Sequence, residues 1–482
     1  MIYADDSESD LRLFCEQLER FHSAMEVVTK FKSKPPSPSN RVTVFVVRNE
    51  AMVRQLYGDG SANIGGFYLP RAGRSLAIVP RVNSKNGVAD YSMVVLLHEY
   101  AHHFMIGGSN FPMPRWLSEG GAEFFSSSGF GSDGGVSLGR PARHRADELF
   151  YARDVKAEEL LDPDLYNARR TKMYDAFYGK SWLLYHYLTF EEARKGQLAL
   201  YISLLKNGTR QRDAAIQAFG DFAKLERDLD AYLRKSRINA FSLPSSMLKT
   251  GNIAIRRLRD GEAAIMPVRI RSSRGVNEEQ AKALLVDARR IAASYPGDAD
   301  VQSALAEADF DAGNDNEAIA AADAALAIDP GQVNAYVQKG FALFRIAEGT
   351  ETKPAAYKAA RAPFIALNQR EHDHPIPLIY YYRSFAEQGV APPPLAIDGL
   401  ITAVEVAPFD LDLRMTLATA LIQLARQDEA QIILEPVAYN PHADQLSSAA
   451  MRLLEKLKAE PEWRGANMSE VISAPSTESL SK

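Results

Sequence analysis

The 482-residue sequence contains a single cysteine, Cys15. One cysteine cannot form an intramolecular disulfide, and it excludes a metal site built from several thiolates. Cys15 lies in a segment with helical spacing of apolar residues, so we expect a small core side chain there rather than a reactive thiol. A low cysteine content is typical of cytoplasmic proteins and also of many bacterial exported proteins. The single cysteine therefore does not determine the compartment.

The sequence also lacks an apolar run of about 18 residues and a stripe of Lys and Arg. We therefore expect no transmembrane segment, no nucleic-acid partner and no polybasic membrane anchor. The net charge is −5, with 46% hydrophobic and 24% charged residues, which is a globular composition. A chain of 482 residues is too long for one ordinary core and predicts two or three domains.

The N-terminus has neither the charged nor the apolar segment of a signal peptide. Residues 1–4 have the pattern of the end of a strand, and residues 5–8 have that of a helix start. The sequence as written therefore predicts a cytoplasmic protein, whereas an exported or periplasmic protein is expected if a signal precedes it. Localisation stays open at this point.

Apolar periodicity predicts strands early in the chain and helices later, through about residue 245. A loop rich in Gly and Ser is expected over 129–139. Strands followed by helices are typical of an α+β domain, which we place at residues 1–245. The predicted strands cover 1–4, 41–47, 65–69 and 75–79, and the predicted helices cover 11–28, 91–105, 116 onward, 174–193 and 197–207.

Residues 246–276 are predicted to be a linker or a β-rich connector, because apolar residues alternate in parts of this segment. The remaining chain has a different composition and is treated separately below. Its last part, residues 466–482, is rich in Ser, Glu and Thr and is predicted to be a disordered tail.

Residues 277–465 are rich in alanine and contain an internal repeat. Pro296 and Pro330 are 34 residues apart, and so are Ala306 and Gly340, a spacing typical of tetratricopeptide (TPR) repeats. Small residues let paired helices cross closely, and a proline ends the second helix of each pair. The pattern predicts about four TPR-like repeats in an all-α solenoid, which we expect to bind a protein partner in its groove.

The sequence His98-Glu99 followed by His102 has the spacing of a metal-binding helix. On a helix, residues four apart share one face, so both imidazoles reach a single ion. The adjacent Glu99 is then placed to accept a proton from an attacking water. With 9 histidines and 61 acidic residues, this pattern arises by chance in about one chain in fifty. The surrounding helix is apolar, and burying three such polar side chains without a purpose would be costly.

A second predicted helix supplies a third ligand. Glu119 lies 17 residues beyond His102, and Glu123 follows one helical turn later on the same face. Catalytic zinc sites use three protein ligands, so we expect His98, His102 and Glu119 to bind Zn²⁺. Glu123 is placed to accept a hydrogen bond from a ligand imidazole and fix its tautomer. The alternative is that both glutamates lie on the exposed face of an amphipathic helix.

Together, the His98-Glu-x-x-His102 motif and the later Trp116-Leu-x-Glu119-Gly-x-Ala-Glu123 motif resemble the gluzincin metallopeptidases, which include thermolysin-like and aminopeptidase N-like enzymes. The sequence is similar above all to bacterial peptidase-MA-like proteins of largely unknown substrate, which often carry TPR repeats. The resemblance covers roughly residues 1–245. It implies that His98, His102 and Glu119 bind zinc, that Glu99 is the general base, and that Glu123 orients a ligand.

The segment Phe177-Tyr178-Gly179-Lys180-Ser181 is similar to the Tyr-x-Lys-Gly segment of aminopeptidase N-like enzymes, with serine in place of the last glycine. The resemblance implies that Tyr178 donates to the oxyanion of the tetrahedral intermediate. Tyr174 is the competing tyrosine, and a core or surface aromatic is the alternative for Tyr178.

Relatives also place an edge strand near residues 64–68, along which a peptide substrate lies. The Gly-x-Met-x-Asn motif with which aminopeptidases hold a substrate N-terminus is absent, which favours an endopeptidase.

The other histidines have simpler explanations. His103 is about 100° around the helix from His102 and is not expected to be a ligand. His144 is expected in a surface loop. His372 and His374 have metal-like spacing, but they lie in a polar segment between repeats and are not expected to bind a metal.

These observations lead to one hypothesis and two rivals. The hypothesis is a zinc peptidase that acts on peptide or protein substrates and has a TPR module for a protein partner. One rival is a gluzincin-fold scaffold with weak or lost hydrolysis, whose repeats carry the function. The other is a zinc site with a purely structural purpose.

Overall fold

A computed structural model describes residues 1–32, 36–58, 64–81, 87, 89–107, 111, 113–168, 174–440 and 444–473. The first part of the chain combines a mixed sheet with helices. Its strands are β1 (Ile2–Ala4), β2 (Thr43–Val47), β3 (Phe67–Leu69) and β4 (Leu76–Pro80), and its first helices are α1 (Glu8–Thr29), α2 (Glu50–Tyr57), α3 (Tyr91–Gly107) and α4 (Arg115–Ser126). The predicted strands and helices of this region are confirmed.

The four strands form a sheet in the order β1-β2-β4-β3. β1, β2 and β4 are parallel, with Phe45 opposite Ile78, whereas β3 runs antiparallel to β4, with Tyr68 opposite Ala77. β3 is therefore the edge strand on the side of the sheet nearest α3, against which it packs.

Successive side chains of a strand point to opposite faces of the sheet, so the strands contribute to two cores. Helices cover the sheet on both faces. Val44 and Val79 point into the larger core together with α1 and α3, where Met25 and Met93 are fully buried. Phe45, Val47, Leu76 and Ile78 point to the opposite face and pack against Val53 of α2. This layering fixes α3, which carries the histidine motif, against the sheet.

A second, small antiparallel sheet contains β5 (Gly129–Phe130), β6 (Val136–Leu138) and β7 (Phe241–Leu243). The prediction of a loop over 129–139 is wrong for both strands in that range. The strands are only two or three residues long, and β6 pairs with β7 about a hundred residues later, so local sequence patterns do not reveal them. The helices between them are α5 (Ala146–Tyr151), α6 (Ala157–Leu161), α7 (Pro163–Asn167), α8 (Phe177–Phe190), α9 (Gln197–Lys206), α10 (Gln211–Phe219) and α11 (Phe222–Leu233).

The β-like structure predicted within 246–276 is wrong for its second half, which forms helix α12 (Asp260–Arg274). α12 buries two opposite faces, and this is why its apolar residues do not follow a simple helical stripe. Met266 and Ile270 pack against the sheet core, while Ile265 and Val268 pack into the first core of the helical region that follows.

In the described residues that follow α12, all regular elements are helices, which confirms the prediction of an all-α second half. Each helix packs mainly on the helices before and after it in the sequence, and some helices that are two apart also touch, as in a solenoid. The helices are α13 (Glu278–Ser294), α14 (Ala299–Asp311), α15 (Asp315–Ile328), α16 (Val333–Glu348), α17 (Lys353–Arg370), α18 (Pro375–Ala386), α19 (Pro394–Val406), α20 (Leu411–Gln423), α21 (Gln427–Ala438), α22 (Asp444–Ala459) and α23 (Met468–Ser473). We refer to α13–α22 as the helical array.

The small residues of the repeat lie where helices approach each other. Ala306 and Ala325 are fully buried, and a Cβ on Gly340 would lie 2.3 Å from the Phe364 ring. Pro330 lies two residues after the end of α15, and Gly313 adopts φ +85° in the turn between α14 and α15.

The predicted disordered tail begins too early in the sequence. Residues 468–473 form α23, whose Met468 and Val471 pack against the last core of the array, and Arg452 donates to the carbonyl of Val471 at 3.0 Å. Residues 474–482 lie outside the described part of the chain. Among the described residues, no helix is both long and apolar enough to cross a membrane.

Candidate metal centre

The histidine motif and the following glutamate meet where α3 packs against α4. His98 and His102 lie on α3 and Glu119 lies on α4, and these three form the potential metal-binding group found among the described residues. Glu119 is fully buried, and the side chains of His98 and His102 are 13% and 11% exposed. Three donors thus converge in a site that is nearly closed to solvent.

Two glycines bring α4 into this position. A Cβ on Gly120 would lie 2.4 Å from the carbonyl oxygen of Ser181 on α8, and one on Gly121 would lie 2.8 Å from the sulfur of Met105 on α3. No side chain fits at such distances, so Gly120 and Gly121 let α4 approach both neighbouring helices. Glu119, which directly precedes them, is thereby held against the α3 histidines.

The donor spacing suits zinc. Nε2 of His98 and Nε2 of His102 are 3.1 Å apart, and they lie 3.4 and 3.3 Å from Oε2 of Glu119. With metal–ligand distances near 2.0–2.1 Å, the ligand atoms of a tetrahedral zinc site are about 3.3 Å from one another. Two imidazole nitrogens and one carboxylate oxygen are also the ligand types of catalytic zinc sites, so the residues fit this metal.

Glu123 lies behind the donors, as its position one turn after Glu119 predicts. Its Oε1 is 3.2 Å from Nδ1 of His98, the ring nitrogen opposite the one that faces Glu119. A hydrogen bond there keeps the proton on Nδ1 and leaves Nε2 free to bind a cation. The carboxylate is 1% exposed, and so its interactions are poorly screened by water.

Two basic residues hold Glu123 in turn. His144 Nε2 is 2.5 Å from Oε2 of Glu123, and Arg145 donates to Oε1 at 2.5 and 3.0 Å. Arg145 also pairs with the buried Glu148 at 3.3 Å. The expectation that His144 lies in a surface loop is therefore wrong: a 3-10 turn before α5 directs its ring to the buried carboxylate. The sequence pattern gives no distance between residues 123 and 144, and this contact was missed for that reason.

Ser118 supports the second histidine. Its Oγ lies 3.1 Å from Nδ1 of His102, so both ligand imidazoles have a polar partner at the nitrogen that points away from Glu119. Ser118 directly precedes Glu119 on α4 and was not singled out in the sequence. Its position in the Trp-Leu-Ser-Glu stretch carries no signal that distinguishes it from a helix-surface serine.

The electrostatics of the site favour positive charge. Burial by itself lowers the pKa of His98, but the carboxylates of Glu123 and Glu119 outweigh that effect and raise it to about 10. Burial raises the pKa of Glu123, but the neighbouring His98, His144 and Arg145 hold it well below the usual range. The carboxylates of Glu119 and Glu123 around two imidazoles create a potential that stabilises a cation.

Tyr178 stands at the start of α8, next to this group. Its ring lies 4.8 Å from the guanidinium carbon of Arg145 and 5.9 Å from that of Arg115. Burial raises the pKa of Tyr178 to about 12, and the charge of Glu119 adds to the increase. The phenol therefore keeps its proton at neutral pH and lies close enough to Glu119 to sense its charge. The competitor, Tyr174, is 70% exposed.

The edge strand β3 contacts α3, the helix that carries His98 and His102, through Tyr68. Burial raises the pKa of Tyr68 in β3, and the charge of Glu99 adds to the increase. The Tyr68 hydroxyl lies 2.8 Å from Nδ1 of His103. His103 thus points away from the three donors, as its helical position predicts, and its buried ring has a pKa near 4, which keeps it neutral.

The remaining histidines of the repeat region lie elsewhere. His374 is 2% exposed and caps α18 by accepting a hydrogen bond from the amide of Ile376. Its expected place in a polar segment between repeats is therefore only half right, because the residue is buried. Neither His372 nor His374 belongs to a metal-binding group among the described residues.

No family model matches the sequence, and none of the curated proteins searched matches it. Among solved structures, the chain is similar to a thermophilic TPR protein from Thermus thermophilus, with 16% identity and a TM-score of 0.35 over 40% of this chain and 99% of that one. It is also similar to the MamA RS-1 ArsTM double mutant, with 15% identity and a TM-score of 0.29 over 42% of this chain and 100% of that one. The description of the array as packed helix pairs comes from its own contacts.

Proposed function

We propose that this protein is a zinc-dependent peptidase, most simply an endopeptidase, that hydrolyses peptide bonds with an activated water. The observation that carries the proposal is the convergence of His98, His102 and Glu119, whose donor atoms are 3.1–3.4 Å apart. Glu99 stands on the same helix, next to His98. The resemblance to gluzincin enzymes leads to the same assignment.

In this proposal the three donors would hold a zinc ion, which would act as a Lewis acid and lower the pKa of a bound water to about 7. The carboxylate of Glu99 accepts the proton of the attacking water and returns it to the leaving amide nitrogen, so the proton balance closes. Tyr178 donates its phenolic hydrogen to the oxyanion, which its high pKa permits at neutral pH. The substrate lies extended along β3, the edge strand of the sheet.

The decisive experiment combines metal analysis with the Glu99→Gln variant. Purified protein is expected to contain about one zinc ion per chain, and Glu99→Gln is expected to keep that zinc while losing about 10²–10⁴-fold in hydrolysis of casein or a peptide library. Glu50→Gln, an exposed residue of α2, serves as the matched control. A well-folded preparation without zinc would contradict the proposal. Equal activity of Glu99→Gln and the unmodified protein would exclude Glu99 as the base.

A second candidate is a binding scaffold in which hydrolysis is weak or lost. It is favoured by the helical array, because solenoids of packed helix pairs commonly bind proteins. This candidate predicts that zinc-loaded protein has no measurable hydrolysis and that Glu99→Gln binds a protein partner as tightly as the unmodified chain. Activity that is lost on removal of zinc and restored by its return would exclude it.

A further inference from the structure

The turn between β3 and β4, residues 71–75, is inserted against the helical array. Arg71 donates to the last carbonyls of α12, at 2.9 Å to Ser273 and 3.0 Å to Arg274. These carbonyls have no partner within a helix, and a guanidinium is well suited to satisfy them. The turn is thereby attached to the helix that joins the two halves of the chain.

The strongest contact is made by Arg74. Its guanidinium donates to both carboxylate oxygens of Glu307 on α14, at 2.5 and 3.1 Å, and to the hydroxyl of Ser273 at 2.6 Å. The side chain of Glu307 is 5% exposed, and Asn334 also donates to it at 3.2 Å. A bidentate pair with a buried carboxylate fixes orientation as well as distance.

The middle of the turn contacts two later helices. The amide of Ala72 donates to Oδ2 of Asp410 at 2.9 Å, while Oδ1 of Asp410 caps α20 by accepting from the amide of Leu413 at 2.9 Å. Gly73 adopts φ +71°, and a Cβ there would lie 2.9 Å from the ring of His374. The close approach and the left-handed backbone both require glycine.

The same part of the array also contacts α3, the helix that carries His98 and His102. Phe409 precedes Asp410, and its ring centroid lies 4.7 Å from that of His103, the residue whose Nδ1 meets the Tyr68 hydroxyl. The short strand β3 is therefore held at Tyr68 by α3 and just beyond its end by the array. β3 has only three residues and one neighbouring strand in the described sheet, and its Phe67 and Leu69 side chains add packing against the sheet core.

We propose that Ser273, Glu307, His374 and Asp410, which we call the turn-binding surface, position edge strand β3 beside the candidate metal centre. In this proposal the turn of residues 71–75 is an intramolecular ligand of the array. Arg74 and Asp410 are positioning residues, because they hold the strand along which the substrate binds. The effect on substrate rests on the proposed peptidase function, whereas the effect on β3 does not. The two are measured separately below.

The test uses Asp410→Ser in the full-length chain. Serine retains helix capping at this position but cannot also reach the amide of Ala72, so this one contact of the turn is lost while α20 and the Arg71 and Arg74 contacts are preserved. We expect amide hydrogen exchange in residues 67–76 to rise by about tenfold or more, because local opening of this segment becomes easier. Zinc content should stay the same, and KM for peptides should rise several-fold with little change in kcat. Asp412→Ser, on the exposed face of the first turn of α20, is the matched control.

Arg74→Lys provides an independent test, because it keeps the charge and loses the bidentate geometry. It should raise exchange in the same segment. Unchanged exchange in both variants would overturn the proposal, even if the protein is an active peptidase. Faster exchange together with no peptidase activity in the unmodified chain would sustain the positioning of β3 and refute the proposed function. Faster exchange with unchanged KM would overturn the role in substrate binding.

Discussion

Oε1 of Glu123 lies 3.2 Å from Nδ1 of His98, on the side of the imidazole that faces away from Glu119. One ring is therefore held between two buried carboxylates, each on its own nitrogen. This arrangement fixes both the tautomer and the rotation of the ring, and it depends on Glu123 being ionised and correctly placed. His144 and Arg145 secure that state.

Replacing Glu123 by glutamine should weaken zinc binding without removing a ligand. The amide keeps the shape of the side chain and one acceptor oxygen but not the charge, so both His98 and Arg145 lose a charged partner. We expect zinc affinity to fall by about 10–100-fold, measured by competition with a chromogenic chelator. Glu158→Gln, at an exposed ion pair with Arg212, is the control. Affinity within twofold of the unmodified protein would show that Glu123 does not orient the ligand.

Tyr178→Phe tests the proposed oxyanion donor. Removal of the phenolic hydrogen should lower kcat by about 10²-fold, with zinc content and KM nearly unchanged, because the hydrogen bond forms mainly in the transition state. Tyr174→Phe is the matched control, since Tyr174 is the sequence competitor and is 70% exposed. If Tyr174→Phe lowers kcat and Tyr178→Phe does not, the two roles are exchanged.

Gly120→Ala should destabilise the fold and the metal centre together. The added methyl group would lie 2.4 Å from the Ser181 carbonyl, so α4 must move away from α8. We expect a loss of about 1–3 kcal/mol in the free energy of unfolding, measured by urea denaturation, and reduced zinc affinity. Gly297→Ala is the control, because a Cβ there meets nothing within 4 Å. Equal effects of the two substitutions would contradict the packing explanation.

Asp311, at the end of α14, predicts a pH-dependent stability. Burial raises its pKa to about 6; Glu307 adds to this increase, while the Ser272 hydroxyl, Arg74 and Arg345 oppose it. Because this pKa is higher than in the unfolded chain, Asp311 penalises folding above pH 6, and the penalty disappears as pH falls towards 4. Asp311→Asn removes the charge. It should therefore stabilise the protein by about 1–2 kcal/mol at pH 8 and hardly at all at pH 4.

The measurement is urea unfolding of both proteins between pH 4 and 8. Asp398→Asn, at an exposed residue of α19, is the control. A stabilisation by Asp311→Asn that is equal at pH 4 and pH 8 would mean that Asp311 has an ordinary pKa in the folded protein.

Local patterns predict much of this molecule, and the reasons are physical. His98, His102, Glu119 and Glu123 are related by helical spacing, so the sequence predicts which of them share a face, and the structure brings all four together. The repeat of 34 residues likewise predicts packed helix pairs. Whether the site binds zinc and hydrolyses peptides stays a prediction.

Contacts between distant segments are what local patterns miss. His144 reaches Glu123 only because the chain folds back after β6, and the turn at Arg74 meets Glu307 across more than two hundred residues. α12 was mistaken for β structure because it is apolar on two sides, with Met266 facing the sheet and Ile265 facing the array. A helix that is buried on two sides does not show the single apolar stripe by which an amphipathic helix is recognised in a sequence.

This double burial of α12 limits how the protein can be divided. A fragment that ends at residue 245 would leave Phe45 and Ile78 without Met266 and Ile270, so an apolar face of the sheet would meet water. A fragment that begins at 277 would remove Ile265 and Val268 from the first core of the array. The helical array is therefore not an independent unit, because α12 completes the cores of both halves. A transfer of the array to another protein would have to include α12 and provide a sheet on which α12 can pack.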